Sequence, residues 1–340
     1  MQEDEIVMRG HKTEKPTIVI TGISGRIGRL LAKRLHREGK YRIVGIDRRS
    51  FSDRPPDIVH SRVDLRSKKT RGVFRKERPV ALVHLGLMHD PRKSRKEHHD
   101  WNVVGTSRLL EYCRRYNVPK VVFLSSHYVY GARPENPQFL SEEAPLLGAQ
   151  DTPGLRDLVE ADMLANSFFW KCSEISTVIL RPVHVLGRVQ NAISNLLRMK
   201  RIPKLVGFDP MMQLIHEKDV VESLILSLSP KAGGVYNVAG PGEIPYSVIL
   251  EELGKPILPI PHFCPKFLMK FLWLTGSSPI EGPEMDHLRF ISMIDDSRIR
   301  KELGFSPKYS IKETIGSVLE HPADPMAVRS DSGTTIAKRS

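Results

Sequence analysis

Cysteine is scarce in this chain: three in 340 residues, Cys113, Cys172 and Cys264, far apart from one another. An odd, sparse set does not make a disulfide framework, and no pair has zinc-ligand spacing. Each is expected to be a small buried hydrophobe in a reducing compartment. Long apolar runs are missing as well. No stretch approaches the ~20 residues that span a bilayer, so no transmembrane segment is expected. The start, Met1-Gln2-Glu3-Asp4-Glu5, is acidic where a secretory signal would be basic, which points to a cytoplasmic chain. Aromatic residues are only 7%. The basic runs Arg66 to Arg78 and Arg92 to Lys96 are therefore not interleaved with stacking rings. They read as solvated faces rather than as a nucleic-acid surface. No internal repeat is visible.

What is present is a globular mix: 40% hydrophobic and 27% charged residues, with length for a sizeable core. Lys and Arg number 52 against 39 Asp and Glu, a formal charge of +13. That excess suits an anionic substrate, nucleic acid or a membrane surface, and charge alone does not choose. The segment Phe263 to Leu274 is strongly apolar with two lysines. It fits a helix packed in a small lobe, with peripheral membrane contact as the other reading. His98-His99-Asp100 is metal-like in composition, but adjacent helical side chains diverge by ~100°. It reads as a surface cluster, and no metal is expected.

Strand and helix patterns alternate along the first half. Thr17–Ile20 is a β-branched run, followed by Ile27, Leu30, Leu31 and Leu35 at helical spacing up to Gly39. Strands are expected at Arg42–Asp47, Ile58–Leu65, Val80–Leu85, Lys120–Ser125 and Ser176–Arg181. Helices are expected at Arg66–Arg78, Lys93–Tyr116 and Leu155–Phe169. This alternation predicts an α/β fold: a doubly wound parallel sheet with right-handed crossovers and a smaller C-terminal substrate lobe. The expected organisation is a flexible arm over 1–15, a nucleotide-binding domain over 16–185, a lobe over 186–320 interleaved with the last strands, and a tail over 321–340.

The sharpest motif is Thr21-Gly22-Ile23-Ser24-Gly25-Arg26-Ile27-Gly28, between the first strand and the first helix. Gly22 permits a tight turn, Gly25 lets backbone approach a pyrophosphate, and Gly28 lets helix and sheet pack closely. The amides opening the helix, with Ser24, Arg26 and Ile27 around them, face the phosphates. Asp47 closes the next strand about 20 residues on, where a carboxylate can bind the adenosine ribose. Asp47 favours NAD. Arg48 and Arg49 follow at once and can hold a 2′-phosphate, which leaves NADP open.

These residues resemble the extended short-chain dehydrogenase/reductase family, the NAD-dependent epimerase/dehydratases, across roughly residues 16–320. Thr-Gly-x-x-Gly-x-x-Gly is that family's fingerprint. Asp64-Leu65 resembles its adenine-contacting Asp-Leu, and Val83-His84-Leu85-Gly86 its Val-x-His-Leu-Ala. Asn102-Val103-Val104-Gly105-Thr106 and Ser125-Ser126-His127-Tyr128-Val129-Tyr130-Gly131 match Asn-Val-x-Gly-Thr and Ser-Ser-x-x-Val-Tyr-Gly. Leu180-Arg181-Pro182, Ile215-His216-Glu217-Lys218-Asp219-Val220 and Glu302-Leu303-Gly304-Phe305-Ser306-Pro307 continue the series. The resemblance implies a Rossmann domain, bound NAD, and hydride transfer at a carbon of a nucleotide sugar or another anionic hydroxyl substrate. Cofactor contacts are implied for Leu85, Gly86, Asn102, Ser125 and Pro182 besides those above, and the protein is compatible with a homodimer.

The chain departs from the family where the family does chemistry. Its Tyr-x-x-x-Lys pair is replaced by Thr152 and Arg156, as in UDP-glucose 4-epimerase-like proteins lacking that pair. A Thr hydroxyl cannot exchange a proton near neutral pH as an activated phenol can. Arg156 keeps the charge beside the cofactor but is a poor proton donor. Ser126 remains to hold the reacting oxygen, and His127 or Tyr128 is the candidate acid/base. His184 stands where the family's substrate-contacting Asn lies. The family's Arg before Ile-His is missing from Met211-Met212-Gln213-Leu214. The reading is thus an epimerase/dehydratase-type protein with a non-standard acid/base; the alternative is a non-catalytic dinucleotide sensor or scaffold.

Overall fold

The computed structural model describes residues 15–88, 94–150, 153–261 and 286–320. Thr152, the apolar segment 263–274 with Cys264, the tail and nearly all of the expected N-terminal arm lie outside them.

β1 (Thr17–Thr21), α1 (Arg26–Glu38), β2 (Arg42–Ile46) and β3 (Val59–Ser61) open the chain. α2 (Lys68–Glu77), β4 (Ala81–His84), α3 (Arg95–His99), α4 (Gly105–Arg115), β5 (Lys120–Leu124), α5 (Pro153–Lys171) and β6 (Ser176–Pro182) continue the alternation. α1 stops because Gly39 adopts the left-handed conformation at φ 68°, its amide reaching the carbonyls of Leu35 and His36. α2 starts because the Ser67 side chain accepts from the amide of Lys69.

Two expectations are corrected. The third strand is shorter than 58–65, because Asp64 turns the chain by accepting from the Arg66 amide. The helix expected over 93–116 is interrupted by a π-helical turn, Asp100–Val104, between α3 and α4. In a regular α-helix, neighbours diverge by ~100°. The wider turn lets both Trp101 and Asn102 be buried.

Beyond β6 come β7 (His184–Leu186), α6 (Ala192–Arg198), β8 (Ile202–Leu205), β9 (Met211–His216), α7 (Glu217–Ser227), β10 (Gly234–Val238), β11 (Glu243–Pro245), α8 (Tyr246–Leu253) and β12 (Ile257–Ile260). Seven strands form one sheet in the order β10-β6-β5-β4-β1-β2-β3, every pairing parallel. β7, β9 and β11 form a second small sheet, and β8 and β12 a third. The architecture is the doubly wound α/β fold.

The large sheet is buried on both faces. Ile18 and Ile20 of β1 pack with Leu31 and Leu35 of α1 and Leu224 of α7. Val19, pointing the other way, packs with Phe74 of α2 and Leu109 and Cys113 of α4. Each fully buried Ile or Leu contributes roughly 1.5–3 kcal/mol. Leu196, Ile202, Met212, Leu214 and Ile249 form a separate cluster in the C-terminal part. Cys113 and Cys172 are both buried and free. Among the described residues, no helix is long and apolar enough to cross a membrane.

Strand order reverses between β1 and β4. A doubly wound sheet opens a crevice at the carboxyl ends of its strands at that point.

Candidate active site

The crevice starts at the glycine loop. Gly22 has φ 70°, and a Cβ there would stand 2.8 Å from the carbonyl group of Leu85. A Cβ on Gly28 would run into the carbonyl oxygen of Gly22. The loop therefore lies directly on the end of β4, and α1 lies directly on the loop. Gly25 caps α1 without a side-chain hydrogen bond. The first-turn amides, those of Arg26 and Ile27 among them, thus carry no side-chain cap and suit an anion.

Side chains then diverge from the simplest expectations. Arg26 does not turn to the phosphate position. Its guanidinium forms an ion pair with Glu217, with Nε 3.0 and 3.1 Å from the two carboxylate oxygens. Glu217 is buried and also accepts from the Arg188 amide at 2.9 Å. The pair ties the glycine loop to α7.

Asp47 is buried, and its Oδ2 accepts from the Ser24 amide at 3.1 Å. Its Oδ1 accepts from the Arg49 amide at 2.9 Å, and the Arg49 guanidinium closes an ion pair at 3.2 Å. The carboxylate is thus fixed at the loop, with a cation already beside it. Arg48 stacks over the Trp101 ring at 4.9 Å, with Arg66 over the same ring at 5.5 Å. Asp64 holds Arg66 in a bidentate pair at 2.7 and 2.9 Å. Those hydrogen bonds from Arg66 lower the Asp64 pKa. Leu65 is buried against Gly86, where a Cβ would touch it at 3.0 Å.

The floor at β4 is held by polar ties. His84 meets the hydroxyls of Thr21 at 2.6 Å and Thr106 at 3.0 Å, and burial pushes its pKa down to about 3. It is a neutral bracket between β1, β4 and α4. Asn102 does not project into the crevice as a free side chain. Its Oδ1 accepts from the Met88 amide at 2.7 Å and its Nδ2 donates to the Met88 carbonyl at 2.9 Å. The Trp101 indole donates to the Gly86 carbonyl. Both residues pin the loop of Leu85 and Gly86.

At the far end, Ser125 donates its amide to Leu180 O at 2.8 Å, while its Oγ is buried with no hydrogen-bond partner. Ser126 caps the short helical turn His127–Tyr130, accepting from the Tyr128 amide at 3.3 Å. His127 Nδ1 donates to the Pro182 carbonyl at 3.1 Å. Burial drives the His127 pKa to about 4, so the ring is neutral. The Tyr128 hydroxyl lies 3.2 Å from Nδ1 of His184. His184 is held well below the usual histidine pKa by burial, then by repulsion from His127 and His287. The His127 and His184 rings are 4.4 Å apart, and the Tyr128 and His287 rings 4.3 Å. Tyr128, His184 and His287 line a small pocket whose other walls are Ala192, Ile193, Leu196, Met212 and Leu288.

The structure thus gathers Gly22, Ser24, Gly25, Gly28, Asp47, Leu85 and Gly86 at one end, and Ser126, His127, Tyr128, Pro182 and His184 at the other. Arg156 is exposed on the first turns of α5. His287 escaped the sequence reading: it lies in no motif, about a hundred residues from His184. Glu217 sits in a motif read only as a match, and nothing in the sequence links it to Arg26, 191 residues away. Tyr130, from the same motif as Ser126, serves the framework. It donates to Asn237 at 2.7 Å and accepts from Arg181 at 2.9 Å.

The chain matches the family model for the NAD dependent epimerase/dehydratase family over residues 18–239. An uncharacterised protein of Mycobacterium tuberculosis is 23% identical over 340 residues, covering 96% of this chain and 90% of that one. The UDP-glucose 4-epimerase of Mycolicibacterium smegmatis is 26% identical over 334 residues, covering 89% and 97%. Among solved structures, the Thermus thermophilus UDP-glucose 4-epimerase in complex with NAD superposes with a TM-score of 0.70 at 21% identity, covering 91% of this chain and 99% of that one. With the family model matched over well more than half of its length, the chain belongs to the NAD-dependent epimerase/dehydratase family.

Proposed function

We propose that this protein binds NAD along the carboxyl ends of β1, β2, β4 and β5. The far end of the crevice would then serve hydride transfer at a hydroxyl-bearing carbon of a sugar-nucleotide-like or other anionic substrate. Tyr128 and His184 replace the missing acid/base pair. The supporting observation is the Tyr128 hydroxyl 3.2 Å from the neutral imidazole of His184. The cofactor fits the residues present. Gly22 and Gly28 leave no room for a Cβ, the first-turn amides of α1 suit a pyrophosphate, and Asp47 is fixed beside the loop as an acceptor for a ribose. When bound, NAD supplies the hydride acceptor.

The chain's own residues handle the proton. As hydride leaves the carbon, Tyr128 takes the proton of the reacting hydroxyl and passes its own to Nδ1 of His184. The reverse sequence returns it on reduction. Ser126 donates its hydroxyl to the reacting oxygen. His127 is not placed to take the proton, because its Nδ1–H is given to the Pro182 carbonyl and the Tyr128 hydroxyl lies against His184 instead. It acts as a wall that orients Tyr128, whose ring lies 4.6 Å away. The similarity to UDP-glucose 4-epimerases favours a nucleotide-sugar substrate.

The test is to purify the full chain, release and identify its dinucleotide, and offer a panel of UDP-, dTDP- and GDP-sugars. Product is followed by NMR and reduced cofactor by absorbance. Turnover that collapses in Tyr128→Phe, with NAD still bound, supports the reading. NAD bound without turnover on any substrate selects the sensor or scaffold instead. Absence of NAD and NADP binding sinks both.

A further inference from the structure

Away from the crevice, α3 and α5 bring together a side-chain cluster that neither the cofactor nor the proposed chemistry uses. Asp157 is only 4% exposed, yet its Oδ2 is shielded from solvent and accepts no hydrogen bond. A buried carboxylate oxygen without a partner is costly. Its Oδ1 lies 3.4 Å from Nδ1 of His99, the last residue of α3. Glu160, three residues on and so on the same helix face as Asp157, brings Oε2 to 3.9 Å from the same nitrogen. The three donor atoms all lie within 4.8 Å of one another.

The geometry points to a divalent metal site held by His99, Asp157 and Glu160; we propose zinc as its occupant. Ligands at ~2.1 Å from a tetrahedral ion stand roughly 3.4 Å apart, the separation already present between His99 and Asp157. A neutral imidazole and two carboxylates carry two negative charges, which one divalent ion cancels. The same ion supplies the bare oxygen of Asp157 with a partner. An imidazole nitrogen with two carboxylate oxygens is a borderline donor set that suits zinc over magnesium or calcium. His99 and Glu160 side chains are about half exposed, at 47% and 48%, so the ion enters from solvent and water completes its coordination.

The sequence conceals this site because its neighbours mislead. His98 and Asp100 flank His99 in the chain but diverge around the helix, whereas the true companions arrive from another helix. The site would staple α3, and the π-helical turn that follows it, to α5. That turn carries Trp101 and Asn102, which pin the loop at the crevice floor. The metal is thus structural rather than part of hydride transfer.

The test uses chelator-treated full chain, titrated with Zn2+ by calorimetry and with Co2+ by visible absorbance. The inference expects one tight Zn2+ per chain and the intense d–d bands of tetrahedral Co2+. Affinity falls by about tenfold or more in both His99→Ala and Asp157→Asn. His36→Ala, which alters an exposed histidine paired with Asp57, leaves it unchanged. Zn2+ raises the melting temperature of the wild type and not of Asp157→Asn. Without metal, Asp157→Asn is at least as stable as wild type, since it removes an unsatisfied buried charge. Equal Zn2+ binding by wild type, His99→Ala and Asp157→Asn overturns the proposal. So does a metal-free Asp157→Asn that is less stable than a wild type indifferent to Zn2+, because a plain His99–Asp157 ion pair then accounts for the cluster.

Discussion

The two ends of the crevice are built on different principles. At the glycine-loop end, backbone does most of the work: a left-handed glycine, two positions with no room for Cβ, and uncapped amides at a helix start. One carboxylate, Asp47, is tethered to that backbone through Ser24. At the far end, side chains from residues 127–128, 184 and 287 meet in one cluster. Backbone geometry is indifferent to most substitutions nearby, so a binding loop survives while its surroundings change. Side-chain chemistry depends on individual atoms, so the far end is where single substitutions should tell most.

The sharpest way to break that contrast is at Tyr128. Tyr128→Phe is expected to lower turnover by about 10²- to 10⁴-fold while leaving NAD affinity within twofold of wild type. His184→Ala should fall in the same range, with the loss recovered in part by exogenous imidazole. Full turnover in either variant removes the pair from the mechanism. A comparable cost, paid in folding rather than rate, is expected at Arg181. Arg181 and Asp162 form a fully buried ion pair at 2.6 Å, with the Tyr130 hydroxyl and the Glu142 carbonyl accepting from Nη1 of Arg181. Arg181→Ala strands the Asp162 charge and should lower unfolding free energy by about 3–5 kcal/mol in urea titration. A loss below 1 kcal/mol would show that water reaches Asp162 and that this wall is not rigid.

Acid sharpens the contrast next. His127 titrates near 6.5 when unfolded and at about 4 when folded. Between those values the unfolded chain binds more protons, so stability falls as pH drops from 6.5 towards 4. The full shift amounts to about 3 kcal/mol. Urea midpoints at pH 7 and pH 5 should differ in wild type and differ less in His127→Gln. Equal slopes in the two proteins would mean that other groups, such as His84, carry the acid sensitivity. Gly28→Ala tests the opposite end. Its Cβ meets the Gly22 carbonyl, so overpacking should cost about 1–3 kcal/mol and NAD binding should weaken with it.

This division also explains what was legible in the sequence. The strand–helix alternation, the glycine loop and Asp47 were readable because their determinants lie within a few residues of one another. Strand ends shifted by a residue or so, except in the third strand, which stops at Ser61 rather than Leu65, and the fold class followed from the pattern. The π-helical turn at Asp100–Val104 was not readable, because burying both Trp101 and Asn102 is a tertiary demand that overrides helical periodicity. The Arg26–Glu217 pair joins residues 191 apart, and a motif match carries no sign of such a link. His287 had no local signal at all. Its role arises from packing against Tyr128, which no spacing encodes.

The smallest expected effect falls on Asp47, the carboxylate tethered to the glycine loop. In Asp47→Ala, the Ser24 amide loses its acceptor and the ribose loses its own, so NAD should bind about tenfold more weakly, roughly 1.4 kcal/mol. The same change releases Arg49, whose guanidinium is held by Asp47 at 3.2 Å. A freed cation, with no carboxylate to repel a 2′-phosphate, should offset the loss for NADP. The ratio of NAD to NADP affinity should therefore move towards NADP, measured by fluorescence titration with the reduced cofactors at fixed ionic strength. An unchanged ratio would place the ribose away from Asp47 and Arg49.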